Sequence, residues 1–352
     1  MSSLLEHAVS VGPAPRAPTR RLSLTAFIEE RFLVPAYSTR AAPLWIAGHR
    51  ALALPLQLRG AVRNYTARLD GADVRIVGVG DPKRFKPLFR QLFGEVQPAQ
   101  EAPAGPRLTC YPGGVDGLEA DLVVCEVHRW FAPAFRARGW KLMPDSVRWA
   151  AEAVALPPAK PCRSLREDLK KLRRYQYALE QTTAWSDWEE FYETMLAPQA
   201  VRRFGETAWL PSRQFLRELA ASGILHYVRR DGQRVAGTCS VRHGDTVWLP
   251  VSGVLDGDPV LLQQGVSVAV FSQIFAWARE QGVSRIDAGR TTPFVNDGIP
   301  RSKHKWGLRP VPDPLSHLVA LRVGTKPALR RAFAAQPVML ETADGLAAYA
   351  GE

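Results

Sequence analysis

The chain has 352 residues, of which 46% are hydrophobic, and its 46 Lys and Arg against 34 Asp and Glu give a formal net charge of +12. This composition excludes a disordered or fibrous chain and suits two ordinary domains or one large one. The charge favours an anionic partner, such as a tRNA, a phosphorylated cofactor, an acidic carrier protein or a membrane surface, although abundant Ala, Arg and Pro also follow from a GC-rich genome.

The chain begins with a polar segment that is rich in Pro and Arg. Residues 1–23 lack the apolar core of a signal peptide, and we expect them to form a mobile tail. No apolar run is long enough to span a bilayer, so we predict a cytoplasmic protein without a membrane span. Four cysteines, none in a Cys-x-x-Cys pair, predict reduced thiols and no metal site.

Residues 24–156 are predicted to form a first α/β domain. Continuous or β-rich apolar runs predict strands at 73–79 and 122–127, and Asp81-Pro82 marks the start of a helix that ends at Gly94. Alternating apolar and polar residues predict strands at 52–58 and 62–69. Residues 145–154 are predicted as a helix, because Asp145 or Ser146 can cap it.

The sequence Pro-Pro-Ala-Lys-Pro at 157–161 predicts a linker, since proline blocks helix continuation. A second domain is predicted at 162–318. It opens with a capped basic helix, continues through strands joined by an Asp231-Gly232 hairpin turn, and closes with a long helix and a strand ending at Asp287. Residues 319–352 are predicted as an extension with a strand and an Arg/Ala helix, without an assigned function.

The segment from Asp287 to Gly307, DAGRTTPFVNDGIPRSKHKWG, is the most informative in the chain. It combines an acid at a strand end, a loop of Gly, Pro and small polar residues, and a basic cluster closed by Trp306-Gly307. This layout resembles the transferase domain of the Fem-type peptidyltransferases and their acetyltransferase-like relatives in the GNAT superfamily. Their pattern is Asp-x-Gly, then Gly-Leu, then Lys-x-x-aromatic-Gly. The matching residues here are Asp287-Ala288-Gly289, Gly298-Ile299 and Lys303-His304-Lys305-Trp306-Gly307.

The resemblance implies an α/β (α+β) fold with a mixed, mostly antiparallel sheet flanked by helices. It also implies two tandem GNAT-like domains, the first of them degenerate. The implied activity is transfer of an activated acyl group onto an amine of a small molecule or peptide. Such a reaction needs a site for the donor's phosphates, a polariser for the carbonyl and a base for the amine.

In GNAT enzymes that use coenzyme A, the phosphate loop has the pattern Gln/Arg-x-x-Gly-x-Gly/Ala. The corresponding residues here, Leu262 to Ser267, keep the central glycine but depart at the first and last positions. We expect no tightly bound cofactor. The residues expected to contact the donor are Val251, Gln263, Gln264, Gly265, Val266 and Ser267.

Asp287, Lys303 and His304 are the candidate catalytic residues. Lys303 matches the lysine of the family motif and is expected to hold a phosphate or stabilise negative charge. The identity of the base stays open among Asp287, His304 and Asp297. The residues expected to contact substrate are Arg202, Arg203, Trp248, Arg290, Asn296, Arg301 and Lys305.

Three functions remain open at the level of sequence. The first is an acyltransferase with a thioester donor, either acyl-CoA or an acidic carrier protein. The second uses aminoacyl-tRNA, as the Fem-type branch does. The third is a non-catalytic nucleic-acid-binding protein, in which the basic helix from Arg163 to Arg174 would follow phosphates.

Overall fold

The computed structural model describes residues 24–94, 97–98, 107–205 and 208–352, so the predicted tail, residues 1–23, lies outside the described residues. The helices are α1 (Leu24–Ser38), α2 (Ala42–Gln57), α3 (Pro82–Phe93), α4 (Pro112–Val115), α5 (Ala132–Ala137), α6 (Arg163–Tyr175), α7 (Trp185–Phe191), α8 (Ala197–Phe204), α9 (Arg213–Ser222), α10 (Pro259–Gln263), α11 (Val266–Glu280), α12 (Gly298–Lys305) and α13 (Pro327–Ala335).

The described strands all follow α2 in the chain. They are β1 (Arg59–Leu69), β2 (Ala72–Val79), β3 (Gln97–Pro98), β4 (Arg107–Thr109), β5 (Leu122–Val127), β6 (Lys141–Pro144), β7 (Val147–Glu152), β8 (Ala178–Thr182), β9 (Gly223–Arg230), β10 (Gln233–His243), β11 (Thr246–Trp248), β12 (Ser252–Val254), β13 (Arg285–Thr291), β14 (Arg309–Val311), β15 (Leu318–Val323), β16 (Val338–Thr342) and β17 (Gly345–Tyr349).

The described chain divides into two compact units. The smaller unit comprises Asp168–Ser240 and Val251–Ile274, and the larger unit comprises Leu24–Glu167, Val241–Pro250 and Phe275–Glu352. The domain boundaries expected from the sequence, at 157–161 and after 318, stay predictions.

The larger unit contains a sheet with the strand order β3-β1-β2-β5-β15-β6, in which β4 also pairs with β1. β2 and β5 run parallel, and the other pairs are antiparallel. Apolar side chains of α3 and α13 cover one face, and those of α4 and α5 cover the other. Burial on both faces explains why β5 is a continuous apolar run rather than an alternating one.

A second set of strands in the larger unit has the order β14-β7-β13-β11. β7 was predicted as a helix, and this prediction was wrong. Asp145 and Ser146 do not cap a helix: Asp145 accepts from the His317 backbone N–H at 3.1 Å, and the Ser146 hydroxyl donates to Asp313 at 2.9 Å. Residues 147–152 pair instead with β13 and β14, so tertiary pairing overrides the local capping signal.

The strand predicted at 52–58 was also wrong, because these residues belong largely to α2. His49, Ala53 and Gln57 are spaced four residues apart and are buried together, which places them on one face of the helix. An alternating run of Leu and small residues fits both the periodicity of a strand and that of a helix. Packing within the larger unit selects the helix.

The smaller unit contains the strands β8-β9-β10, with β12 paired to β10. The predicted turn at Asp231-Gly232 is confirmed, since both residues have positive φ, 51° and 79°, as a tight hairpin turn requires. Its core gathers buried residues from β9, β10, β12, α10 and the start of α11.

The predicted α/β class, with mostly antiparallel sheets flanked by helices, is confirmed. One parallel pair, β2 with β5, lies in the first half of the chain, and a second, β11 with β13, lies in the second half. This recurrence is the pattern that two tandem domains predict.

A β-bulge interrupts β13 at Gly289. The register between β13 and β7 shifts between Asp287 and Arg290. Gly289 has a φ of +75°, and a Cβ placed on it would lie 2.5 Å from the carbonyl oxygen of Leu249. Both the backbone angle and the close approach of β11 therefore require glycine here.

We predict that Gly289→Ala destabilises the protein more than Gly282→Ala does. Gly282 also has positive φ (+65°), but a Cβ there meets nothing within 4 Å. The control should lose about 1 kcal/mol from backbone strain. Gly289→Ala should lose ~1–3 kcal/mol beyond that because of the steric contact. Urea unfolding of both variants measures the difference, and equal losses would contradict the bulge contact.

Candidate active site

The parallel pairing of β11 with β13 ends at the carboxyl end of β11, whereas β13 continues to Thr291. They pair as far as Trp248 and Asp287, and a last hydrogen bond joins the Leu249 N–H to the Asp287 carbonyl at 2.8 Å. Beyond it, Arg290 and Thr291 pair with β7. In sheets with parallel strands, ligands bind outside the carboxyl ends where neighbouring strands diverge.

Asp287 lies at this point with its side chain 1% exposed. The Arg148 guanidinium donates to one carboxylate oxygen through Nη2, and the Gly289 N–H donates to the other at 2.9 Å. A charged donor and a backbone donor together satisfy the buried carboxylate. Asp287 is therefore fully engaged in holding the strand end.

Arg148 connects Asp287 to helix α1. Its guanidinium lies over the ring of Tyr37, 4.2 Å from the ring centre. The ring of Tyr37 also packs edge-on against Trp248, with ring centres 5.1 Å apart. Burial lowers the pKa of Arg148, since it disfavours the charged form.

Asp313 is a second buried carboxylate and has four donors. They are the hydroxyls of Tyr37 and Ser146, Nε of Arg290 at 2.5 Å, and the backbone N–H of Leu315 at 3.0 Å. Burial by itself would raise the pKa of Asp313, but the charge of Arg290 and the Tyr37 hydrogen bond hold it below its usual value. Burial, followed by the charge of Asp313, raises the pKa of the Tyr37 hydroxyl well above its usual value.

Lys303 approaches the same strand end from α12. It is 5% exposed, and its Nζ donates to the carbonyl oxygens of Gly289 at 3.1 Å and Arg290 at 3.3 Å. Burial lowers its pKa to about 7. The lysine of the Lys-x-x-aromatic-Gly motif thus binds the backbone of the bulge in β13.

Trp248 contributes a buried donor at the end of β11. Its ring is 3% exposed, and its Nε1 has no hydrogen-bond partner among the described residues. A buried N–H without a partner costs free energy, so such groups in native proteins usually have a reason.

An open cleft of about 710 Å³ lies in the larger unit beside α12. Arg301, His304 and Lys305 give it a basic wall, and Met339 and Leu346 from the β16–β17 hairpin give it an apolar one. None of its lining residues is acidic. The remaining lining residues are Trp149, Ser164, Val295, Asn296, Gly298, Pro300, Ser302, Pro310, Ala347 and Ala348.

The sequence-predicted residues therefore fall into three groups. Asp287, Lys303, Arg290 and Trp248 lie in or beside the buried polar network at the strand ends. Asn296, Arg301, His304 and Lys305 line the cleft. The remaining predicted residues, which are Arg202, Arg203, Val251, Gln263, Gln264, Gly265, Val266 and Ser267, belong to the smaller unit.

In the smaller unit, Gly265 has a φ of +91° and directly precedes α11. The Lys171 side chain passes beside it, since a Cβ on Gly265 would lie 3.2 Å from Lys171. The Arg230 guanidinium donates to the side chain of Gln264. Two basic side chains thus accompany a glycine at the start of a fifteen-residue helix, an arrangement that suits phosphate.

Other residues of the smaller unit that were expected to contact ligands are hydrogen-bonded or packed against other residues of the protein. The Val251 carbonyl accepts from the Thr238 hydroxyl at 2.9 Å and from the Cys239 N–H at 3.2 Å. Arg202 donates to the Gly257 carbonyl at 3.2 Å, and Arg203 lies against the ring of Phe204.

Sequence reasoning missed four residues of the network, Tyr37, Ser146, Arg148 and Asp313. Arg148 was placed on a predicted helix, and Tyr37 and Asp313 lie 276 positions apart. The flanking prolines of Asp313 mark a rigid loop, but nothing in the sequence pairs it with Tyr37. Among the residues that the structure describes, no group of His, Cys, Asp and Glu is placed to hold a metal ion.

Comparisons with known proteins identify part of the chain. Residues 159–296 match the family model described as an acetyltransferase (GNAT) domain. No curated protein matches the chain.

Solved structures match over much of the chain, with low identity. L-PGS from Bacillus licheniformis is 12% identical over 85% of this chain and 92% of its own, with a TM-score of 0.41. FemX is 10% identical over 74% and 88%, with a TM-score of 0.39. A GCN5-related N-acetyltransferase from Sphaerobacter thermophilus is 15% identical over 72% and 75%, with a TM-score of 0.33. Similarity at this level does not transfer a substrate.

We predict that Tyr37→Phe destabilises the protein by ~1–3 kcal/mol, because it leaves the buried Asp313 carboxylate without one donor. Tyr111→Phe is the matched control, since Tyr111 is 42% exposed. Guanidinium unfolding at neutral pH measures both losses. Equal, small losses would show that the Tyr37 hydroxyl does not support Asp313.

The buried Lys303 predicts a pH dependence of stability. Its folded pKa of about 7 lies below the value of about 10.4 expected in the unfolded chain. The unfolded state therefore binds more protons between these values, and Lys303 makes the free energy of unfolding rise with pH across that window.

Lys303→Met should remove this contribution and flatten the rise between pH 7 and 10 by roughly a few kcal/mol at most. Urea unfolding across that range compares it with wild type, and Lys86→Met, at an exposed position, controls for loss of a lysine. An unchanged slope in Lys303→Met would mean that Lys303 stays protonated in the fold.

Proposed function

We propose that this protein, whose residues 159–296 belong to the GNAT superfamily, is an N-acyltransferase that moves an acyl group from a thioester donor onto an amine. The donor is acyl-CoA or a pantetheine thioester on an acidic carrier protein. The acceptor is a small molecule or a peptide.

The separation of β11 and β13 after Trp248 and Asp287 carries this proposal. It ends the pairing of the two parallel strands at the carboxyl end of β11, within the segment that matches the family model. Backbone and indole N–H groups fixed at such a point can stabilise the oxyanion of a tetrahedral intermediate without reorganising during the reaction.

In the proposed reaction, the lone pair of the acceptor nitrogen attacks the thioester carbonyl. The tetrahedral intermediate then collapses, the C–S bond breaks, and the sulfur leaves as a thiolate that takes up a proton. The nitrogen loses a proton to a base. We assign the base to His304, because it lines the cleft and is exposed, whereas Asp287 is buried and paired with Arg148.

Asp287 and Lys303 then act as positioning residues. Asp287 binds Arg148 and the Gly289 N–H, and Lys303 binds the carbonyls of Gly289 and Arg290. Together they hold the bulge in β13, beyond which β13 no longer pairs with β11.

The cleft supports an acceptor that carries an anionic group and an apolar portion. Arg301 and Lys305 suit a phosphate or carboxylate, and the hairpin side chains suit a hydrocarbon portion. The donor's phosphates are assigned separately to the Gly265 segment, where Lys171 and Arg230 supply positive charge.

Aminoacyl-tRNA is the second candidate donor. The formal charge of +12 and the basic cluster from Arg301 to Lys305 favour it. The burial of Lys303 against two carbonyls counts against a direct role for this lysine in binding an RNA phosphate.

Thermal-shift titrations with acetyl-CoA, free coenzyme A and bulk aminoacyl-tRNA test the proposal in parallel. A ligand at about 100 times its Kd stabilises the folded state by about 2.7 kcal/mol and should raise Tm by several degrees. We expect a shift with coenzyme A. A shift with aminoacyl-tRNA alone, abolished by RNase, would favour the second donor. No shift with any ligand would contradict both soluble donors.

We predict that Arg301→Gln/Lys305→Gln raises KM for the acceptor about tenfold or more, because each charged hydrogen bond contributes ~1.5–3 kcal/mol. Lys83→Gln/Lys86→Gln removes the same charge from exposed positions on α3 and should leave KM unchanged. Steady-state kinetics with a fixed donor concentration measure both. Equal effects would mean that total charge, rather than the cleft, binds the acceptor.

A further inference from the structure

Helix α2 presents an apolar face to solvent. Its exposed large side chains are Leu44 (76%), Trp45 (40%), Leu52 (52%) and Leu56 (49%). Ala47, Ala51 and Pro55 are exposed between them. At 100° per residue these positions share one half of the helix circumference, and no polar side chain interrupts it.

The opposite face of α2 is buried and mixed in character, with Ala53 between two polar side chains. His49 and Gln57 point inward, and the Gln57 amide contacts Nδ1 of His317 through a hydrogen bond. The His128 ring bonds to the Arg50 carbonyl at 2.8 Å. The helix is therefore held with its apolar side outward, the reverse of what water alone would select.

Along the sequence, the charges on either side of α2 have one sign. Between Glu30 and Asp70 the chain has no acidic residue but six arginines. Arg40 and Arg59 are exposed and lie just before and just after the helix, so the apolar face is bordered by positive charge at both ends. An amphipathic helix of this kind lies in the interface of an anionic bilayer, with its apolar side chains inserted and its arginines near the headgroups.

We propose that α2 docks the protein onto an anionic lipid surface. The sixteen residues of α2 make it about 24 Å long, which favours lying on a bilayer over crossing it. None of the helices in the described part of the chain is long and apolar enough to cross a membrane. The docking is independent of the acyl donor and acceptor proposed above.

Flotation of the full-length protein with vesicles tests the docking. Vesicles of phosphatidylcholine alone are compared with vesicles that also contain phosphatidylglycerol. We expect binding to the mixed vesicles, with at least a tenfold weaker association to the neutral ones and a marked loss in high salt. Absence of binding to the mixed vesicles would overturn the proposal.

Variants separate the apolar from the electrostatic contribution. Leu44→Glu/Leu52→Glu should lose at least tenfold in vesicle affinity. Val154→Glu/Val260→Glu introduces the same charges at two other exposed apolar positions. It should bind within about twofold of wild type when the salt concentration is set so that the change in net charge does not by itself alter vesicle binding. Equal losses in both pairs would show that net charge alone drives binding and would overturn the role of α2.

The arginines are tested in the same way. Arg40→Gln/Arg59→Gln should weaken binding several-fold more than Lys83→Gln/Lys86→Gln, which removes the same charge from α3. Circular dichroism and Tm confirm that each variant is folded before its flotation is interpreted.

Two other occupants of the face give different results. If light scattering shows a dimer that Leu44→Glu/Leu52→Glu converts to a monomer, the face binds a second copy and the lipid proposal fails. If only a chain lacking residues 1–23 binds vesicles, the N-terminal segment occupies the face, and the proposal fails for the full chain.

Discussion

The buried carboxylate of Asp313 is the constraint from which much of the larger unit follows. An ionised group at 0% exposure is tolerated only when its oxygens are fully bonded. Its donors come from α1, from the turn before β7, from β13 and from its own loop. The Tyr37 that satisfies it also lies under Arg148, and Arg148 binds Asp287, the last residue of β13 that pairs with β11. One carboxylate thus ties the position of an early helix to the opening between the parallel strands.

The family motif has a physical explanation in this fold. Lys303 and Trp306 are three residues apart and both point inward, Lys303 to the carbonyls of the bulge and Trp306 to the ring of Phe275 at 5.5 Å. Gly307 has a φ of +93° and lets the chain leave the helix. The residues between them, His304 and Lys305, consequently face the cleft. The motif fixes a helix against a strand, and the two residues between its fixed positions present basic side chains to the cleft.

The sequence predicted correctly those parts of the fold that depend on interactions between residues close together in the chain. The apolar run of β5, the capped start of α3 and the turn at Asp231-Gly232 each depend on neighbours within a few residues. β7 and α2 were assigned wrongly because their sequence patterns fit both a helix and a strand. Strand pairing decided the structure of β7, and packing decided that of α2. The motif located Asp287 and Lys303. It could not locate Arg148, which binds Asp287, or Tyr37, which binds Asp313, since contacts across more than a hundred residues leave no local signal.

The apolar wall of the cleft is built by the last hairpin of the chain. β16 attaches beside β13 through the Met339 N–H, which donates to the Pro293 carbonyl at 2.8 Å, and its partner β17 brings Leu346 to the cleft. These residues lie after the segment that matches the GNAT family model. A change in the last hairpin would therefore alter the apolar wall of the cleft without altering any residue of the segment that matches the family model.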